Sequence, residues 1–242
     1  ISGTGNVVKS GSGTLTFTDP NNYSGTTTVN AGRLNLTGSI TSNTTVANGG
    51  TLGGTGTINS ANTLTVQSGG HVAPGTSPGI LNSGSVSFAS GSFFDVEIGG
   101  TTPGSANSNH DQLAVTGTVN LGGATLTTTA FNSFVPVGGN TFAILLNDGS
   151  EAITGTFNGL SEGATITNFL GTSLSATISY VGNADGGATG NDVVLTVVAP
   201  GTLSATLSGN DLTIADNDGT KNNSLTVSVS GANPVLPNAN EA

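Results

Sequence analysis

Three short segments of this chain repeat one pattern: a Thr-Val pair, a small polar turn, then an apolar residue. They are Thr28-Val29-Asn30-Ala31-Gly32-Arg33-Leu34, Thr45-Val46-Ala47-Asn48-Gly49-Gly50-Thr51-Leu52 and Thr65-Val66-Gln67-Ser68-Gly69-Gly70-His71-Val72. A looser copy begins at Ser85-Val86 and ends at Phe93. The valines at 29, 46, 66 and 86 are spaced by 17, 20 and 20 residues. A unit of that length, built of two or three short strands, cannot bury its apolar face alone. It needs a like unit stacked on it, which is the logic of a β-solenoid coil. Gly and Asn fall at the corners, where left-handed backbone is needed. Propeller blades are about 40 residues or longer and carry aromatic signatures missing here. No window has apolar residues at i, i+3, i+4 and i+7, so no helix is expected.

Composition narrows the partners. Only 7% of the 242 residues are charged, and 13 acids against three bases (Lys9, Arg33, Lys221) give a formal charge of −10. Such a chain cannot neutralise a phosphate backbone, so nucleic acid is excluded as a partner. Attraction to an anionic membrane surface is excluded for the same reason. No apolar run reaches the length of about 18 residues that a spanning helix requires, so membrane insertion of this segment is not expected. There is no Cys, hence no disulfide and no thiolate metal site. Nothing in the sequence calls for a cofactor. The chain begins at Ile1 with no initiator Met and no leader-like segment, and ends at Asn240-Glu241-Ala242. It is expected to be a piece cut from something longer.

The solenoid pattern covers residues 1–198. Residues 99–112 are almost free of apolar side chains and read as a polar excursion from one coil. Strands resume at Gln112-Leu113-Ala114-Val115, and larger apolar residues (Phe131, Phe134, Phe142, Phe157, Phe169, Tyr180) mark a wider, capped end. Ala199-Pro200-Gly201 is a natural boundary. Beyond it, residues 199–242 hold three alternating strands, at Leu203–Leu207, Leu212–Ile214 and Leu225–Val229. They form either a C-terminal extension or a partial β-sandwich-like module, with little core of its own.

Gly11-Ser12-Gly13-Thr14-Leu15-Thr16-Phe17, followed by Asn22-Tyr23-Ser24-Gly25-Thr26-Thr27-Thr28-Val29-Asn30-Ala31-Gly32-Arg33-Leu34, closely resembles the autotransporter-associated β-strand repeat of bacterial surface and passenger proteins. Leu52–Ile58, His71–Gly79, Asp111–Gly117 and Gly190–Leu195 resemble segments that usually come after that repeat, so the resemblance covers residues 11–198. It implies a parallel β-helix, export, and an extracellular or cell-surface location. It implies no single activity. The fold expected is all-β: a right-handed parallel β-helix with a short C-terminal β-strand extension.

Few residues have the character of a reactive site, and the chain is not expected to be an enzyme. Asp95 and Glu97 share one face of a strand and are expected on its solvent side. His71 occupies the outward position that Arg33 and Thr51 hold in other coils. His110-Asp111 closes the polar excursion with no second His or Cys nearby. In the tail, Asp211, Asp216 and Asp218 form an oxygen-rich turn cluster of the kind calcium accepts, although Asx turns are the simpler account. Sugar stacking uses exposed aromatics, and there is no Trp and only two Tyr.

The ends of the solenoid carry the stronger signal. Gly3–Val8 already has coil character, so an open N-terminal end is expected. Head-to-tail self-association is therefore expected, as a homopolymer or a tandem array. It would run through Val7 and Val8 at one end and Leu203, Leu207, Leu212, Ile214, Leu225, Val227 and Val229 at the other. The function expected is that of a β-helical subunit of a surface fibre or adhesin stalk. The alternative is a polysaccharide-active lyase or hydrolase passenger domain, with its acids around Asp95 and Glu97.

Overall fold

The computed structural model describes residues 1–148, 151–187, 190–199, 203–208 and 211–216. The chain divides into two units, Ile1–Val198 and Ala199–Ala242.

The first unit is a stack of β coils. The first coil has β1 (Val7–Lys9), β2 (Thr14–Phe17) and β3 (Pro20–Asn21). The second has β4 (Thr27–Val29), β5 (Gly32–Leu36) and β6 (Ser39–Ile40). The third has β7 (Thr44–Val46), β8 (Gly50–Gly54) and β9 (Thr57–Ile58). The fourth has β10 (Thr63–Val66), β11 (His71–Pro74) and β12 (Ile80–Ser83). The fifth opens with β13 (Ser85–Phe88) and β14 (Phe93–Ile98), then leaves on an excursion holding β15 (Thr102–Pro103) and β16 (Asn109–His110), and ends in β17 (Gln112–Val115). The sixth has β18 (Val119–Asn120), β19 (Thr125–Ala130) and β20 (Thr141–Asn147). After it come β21 (Thr165–Ile166), β22 (Ala176–Gly182) and β23 (Asp192–Val197). Three sheets result. The first is ordered β1-β4-β7-β10-β13-β18, the second β2-β5-β8-β11-β14 with β19 beside β14, and the third β3-β6-β9-β12-β17-β20. All pairings within these three runs are parallel, which defines a parallel β-helix.

The register explains the repeat. Val29, Val46, Val66 and Phe88 stand opposite one another up the first sheet. Leu34, Leu52, Val72, Phe94 and Leu126 do so up the second, and Leu81, Leu113 and Leu145 up the third. Each column runs inward, and all but Leu126 are buried. β-Branched and leucine side chains suit these stacked, half-buried positions. The corner after the first sheet is held by Gly32, Gly49, Gly69, Gly91 and Gly123, with φ of 65°, 81°, 76°, 79° and 78°. That left-handed backbone is open to Gly at little cost. Corner donors also link coils: the Gly49 N–H donates to the Gly69 carbonyl at 2.9 Å and the Gly69 N–H to that of Gly91 at 2.7 Å.

One expectation from the spacing is corrected. Val86 faces Leu64, and the residue in the Val29–Val46–Val66 column is Phe88. The cause is twofold: the longer loop 75–79 between β11 and β12 lengthens the fourth coil, and the shorter connection from β12 to β13 gives part of that length back. The equivalent loop of the third coil is only residues 55–56.

The Tyr-Ser-Gly-x-Thr run of the repeat has a packing reason. Tyr23 is buried, and its hydroxyl pairs with the Thr27 hydroxyl, which in turn meets Ser42 Oγ at 2.6 Å. Gly25 lies so close to the backbone of Gly5 that a Cβ there would collide with it. Lys9 links the first two coils. Its buried Nζ donates to the carbonyls of Ser10 (3.1 Å), Gly11 (2.7 Å) and Ala31 (2.9 Å). Lys9→Met keeps the aliphatic stem but strands these acceptors. It is expected to lower stability by about 2 kcal/mol, read by chemical denaturation followed by far-UV circular dichroism.

The C-terminal end of the helix changes character. β20 pairs with β23, and β23 with β22, antiparallel. Residues 154–158 lie on the sixth coil: the Leu121 N–H donates to the Thr154 carbonyl at 2.9 Å and the Asn158 N–H to that of Ala124 at 2.8 Å. Phe157 enters the core, its ring 6.0 Å from that of Phe94 and 6.1 Å from that of Tyr180. The Tyr180 hydroxyl accepts from the Phe157 N–H (3.0 Å) and donates to the Leu160 carbonyl (2.7 Å).

In the second unit, β24 (Leu203–Ser208) and β25 (Asp211–Asp216) pair antiparallel, with Leu207 opposite Leu212 and Ala205 opposite Ile214. The third tail strand, with Leu225, Val227 and Val229, lies outside the described residues.

Candidate functional site

The outward face of the second sheet bears the candidate site. Along it Arg33, Thr51, His71, Phe93 and Thr125 occupy one register row. The His71 and Phe93 rings stack with centroids 4.3 Å apart. His71 Nδ1 lies 2.7 Å from Asp95 Oδ2, both side chains about one third exposed. His71 thus sits outward and orients an acid.

Arg33 starts in the second coil and reaches the fourth. Its Nη2 donates to the Ala73 carbonyl at 3.1 Å and also to that of Gly75. It passes directly over Gly53, where a Cβ would collide with the guanidinium and with the Ala73 carbonyl. The glycine in the intervening coil is therefore what lets the side chain through. Burial lowers the Arg33 pKa, and the carboxylates of Asp111 and Glu97 oppose that shift.

Asp111 lies beneath this arginine with 1% of its surface exposed. Its Oδ1 accepts from the Gly79 N–H and its Oδ2 from the Glu97 N–H, both at 2.8 Å. It therefore ties the end of the excursion to the loop before β12 and to β14. Burial is the main cause that pushes its pKa up to about 7, against the pull of the two backbone donors.

Together these groups line a cleft of about 240 Å³ with Arg33, Asp95, Glu97 and Asp111, walled by residues 73–76 and by Thr127 and Thr129 of β19. A larger groove of about 600 Å³ lies beside His110 and Gln112, against β20, β22 and β23. Asp185 is the only acid or base in its lining besides His110. The smaller cleft is the one where chemistry converges.

His110 is fully buried rather than poised as a ligand or base. Nδ1 lies 2.9 Å from the Gly100 carbonyl oxygen, Nε2 lies 3.3 Å from that of Ala143, and the ring meets Phe142 edge-on. Burial lowers its pKa. Among the described residues no group of three or more His, Cys, Asp or Glu is placed to hold a metal. Asp211 and Asp216 stand at opposite ends of β25, about 17 Å apart at the usual strand rise, so one ion does not take both. Asp218 lies outside the described residues. Of the assembly candidates, Val7 is half-buried against the core and Val8 is 56% exposed, while Leu203, Leu207, Leu212 and Ile214 sit on the tail hairpin.

The sequence pairs Asp95 with Glu97 but does not bring Arg33 or Asp111 to them. The available signal was slight: one of only three bases, placed two positions before a residue that aligns with a glycine in the next coil.

As chemistry, the cleft offers little for catalysis. Asp95 is engaged by His71, and both oxygens of Asp111 are taken by backbone. Glu97 is the one carboxylate of the three that makes no hydrogen bond among the described residues. Glycoside hydrolysis uses two carboxyl groups that both reach the substrate.

The fold is a stack of parallel β coils, and part of its first two coils has a counterpart among known repeats. Residues 7–36 match the model of the passenger-associated-transport-repeat. The match runs from the first residue of β1 to the last of β5, so one repeat spans a full coil and re-enters the second sheet. A comparison with curated proteins finds no match to this chain.

Proposed function

We propose that this chain is a right-handed β-helical stalk segment of a surface-displayed passenger protein, one that extends by head-to-tail strand addition. The observation that carries the reading is the contrast between the two ends of the helix. β1, β2 and β3 are the outermost strands of the three sheets, all at one end; β1 and β2 pair on one side, while the Asn22 and Ser24 N–H groups just after β3 donate to the carbonyls of Ile1 and Gly3. The other end carries antiparallel strands and inserted aromatics. A parallel edge of this kind accepts a further coil, from the same chain or from another copy. Ile1, Val8 and Leu15 are exposed apolar side chains on that same first coil. The right hand is proposed on the general preference of parallel crossovers.

The tail is the natural donor. A two-stranded hairpin is marginal alone in water, and β24 and β25 carry Leu203, Leu207, Leu212 and Ile214 on short alternating strands. Stacked on the first coil of a second copy, these residues would share that coil's core. Light scattering over a wide concentration range, with negative-stain imaging, tests this. The 242-residue chain is expected to form rods longer than one copy, and a version ending at Val198 to remain monomeric. A full chain that is monomeric at every concentration overturns the proposal.

A further inference from the structure

Glu97 and its neighbours make up a grid with no structural task assigned to it. Asp95 and Glu97 stand opposite Thr127 and Thr129 in parallel register. Neighbouring strands lie about 4.8 Å apart, and outward residues recur about every 7 Å along a strand. The four side chains therefore occupy the corners of a patch the size of one pyranose ring. Arg33 flanks it, with its Nη2 already committed to the Ala73 and Gly75 carbonyls and its remaining N–H donors left over.

The inventory selects a ligand. Glu97 and the unengaged Asp95 oxygen accept, Arg33 donates, and the threonine hydroxyls do either. An apolar ligand would leave these groups without hydrogen-bond partners. An anionic one would meet Asp95 and Glu97 head on. The volume, about 240 Å³, falls below the roughly 300–1,000 Å³ of pockets for drug-sized ligands and admits about one ring. The site is also built rather than incidental. In a chain with three bases and 13 acids, it gathers one base and three acids, and Gly53 leaves room for Arg33 to arrive. Lack of exposed Trp is no obstacle, because recognition here runs through hydrogen bonds and not through stacking.

We propose that the Asp95–Glu97–Thr127–Thr129 patch, with Arg33, binds one neutral sugar residue of a glycan. The proposal goes beyond the stalk reading and does not depend on it.

Saturation-transfer NMR and titration of the full chain test it, with maltotriose, cellotriose, mannotriose and chitotriose as neutral probes and trigalacturonate as the anionic one. At least one neutral probe is expected to bind, with Kd raised tenfold or more in Glu97→Gln and in Thr129→Val, and trigalacturonate is expected to be silent. Valine is a good strand residue, so Thr129→Val keeps the fold while removing the hydroxyl. Silence from every neutral probe overturns the proposal. So does binding that neither substitution weakens, or a preference for trigalacturonate.

Discussion

Phe94→Ala is expected to destabilise the β-helix by about 3–5 kcal/mol, the cost of emptying a large aromatic site in a packed core. Phe94 has no exposed surface and stands in the inward column of the second sheet between Val72 and Leu126. Its ring lies 6.0 Å from both Phe88 and Phe157. It thus joins the first sheet, the second sheet and the segment that closes the C-terminal end. In a stack where each coil touches only its neighbours, such a residue couples the coils on either side. The loss should therefore lower cooperativity as well as the midpoint. The earlier coils would unfold separately from the residues beyond β19. Guanidinium denaturation followed by far-UV circular dichroism reads both effects. Phe94→Leu, which refills most of the volume, is expected to recover more than half of the loss. A single unshifted transition for Phe94→Ala would show that Phe94 does not couple the coils.

How much of this was legible in the sequence depends on whether the signal is local. The Thr-Val–Gly–Leu pattern is local: it states which residues point inward, where the corner glycine falls, and hence that coils stack. Val29, Val46 and Val66 follow from it directly. Phe88 does not, because the longer loop 75–79 and the shorter connection after β12 together shift the fourth coil by a net length that only the three-dimensional stacking reveals. A two-residue slip keeps every side chain on its correct face, so the pattern looks equally good with Val86 in the column. The cleft is harder still. Asp95 and Glu97 are paired by strand alternation, but Arg33 is brought to them by the stacking of four coils, and Asp111 by the return of an excursion. Neither contact leaves a mark within one coil. The burial of His110 is of the same kind, since the excursion is polar in sequence yet its last residues pass under Phe142.

The scarcity of charge follows from the same architecture and makes the cleft informative. Between coils the ladders are satisfied by backbone donors and acceptors, and the columns by apolar packing, so ion pairs are not needed to hold the helix together. Among the described residues the one contact with ion-pair geometry is His71–Asp95, which is charged on both sides only when His71 is protonated. A half-buried arginine near a buried carboxylate is costly in such a scaffold unless both are hydrogen-bonded. Both are, through the Ala73 and Gly75 carbonyls and through the Gly79 and Glu97 N–H groups.

Between pH 4 and pH 8 the stability of the wild-type chain should fall by about 4 kcal/mol more than that of Asp111→Asn. The folded pKa of Asp111, about 7, lies above its value of 3.8 in an unfolded chain. The folded state therefore holds the proton more tightly. The contribution is fully present below about pH 4, is lost as pH rises through the window from about 4 to about 7, and is constant above it. A difference of about 3 pKa units at about 1.4 kcal/mol each gives the magnitude. His110 works the other way. Its folded pKa is depressed by burial, so its contribution is present above its unfolded value and is lost as pH falls. The wild-type profile is thus a partial cancellation, and only the difference between the two proteins isolates Asp111. In Asp111→Asn one backbone donor, at Gly79 or Glu97, faces an amide N–H instead of an oxygen. That cost of about 1–3 kcal/mol is independent of pH. Below about pH 4 the variant should be the less stable protein. Above about pH 7 it should equal or exceed the wild type, because it no longer carries a buried charge beside Glu97. Denaturation curves for both proteins at half-unit pH steps give the comparison. Parallel profiles across the window would mean that Asp111 ionises in the folded chain as it does in water.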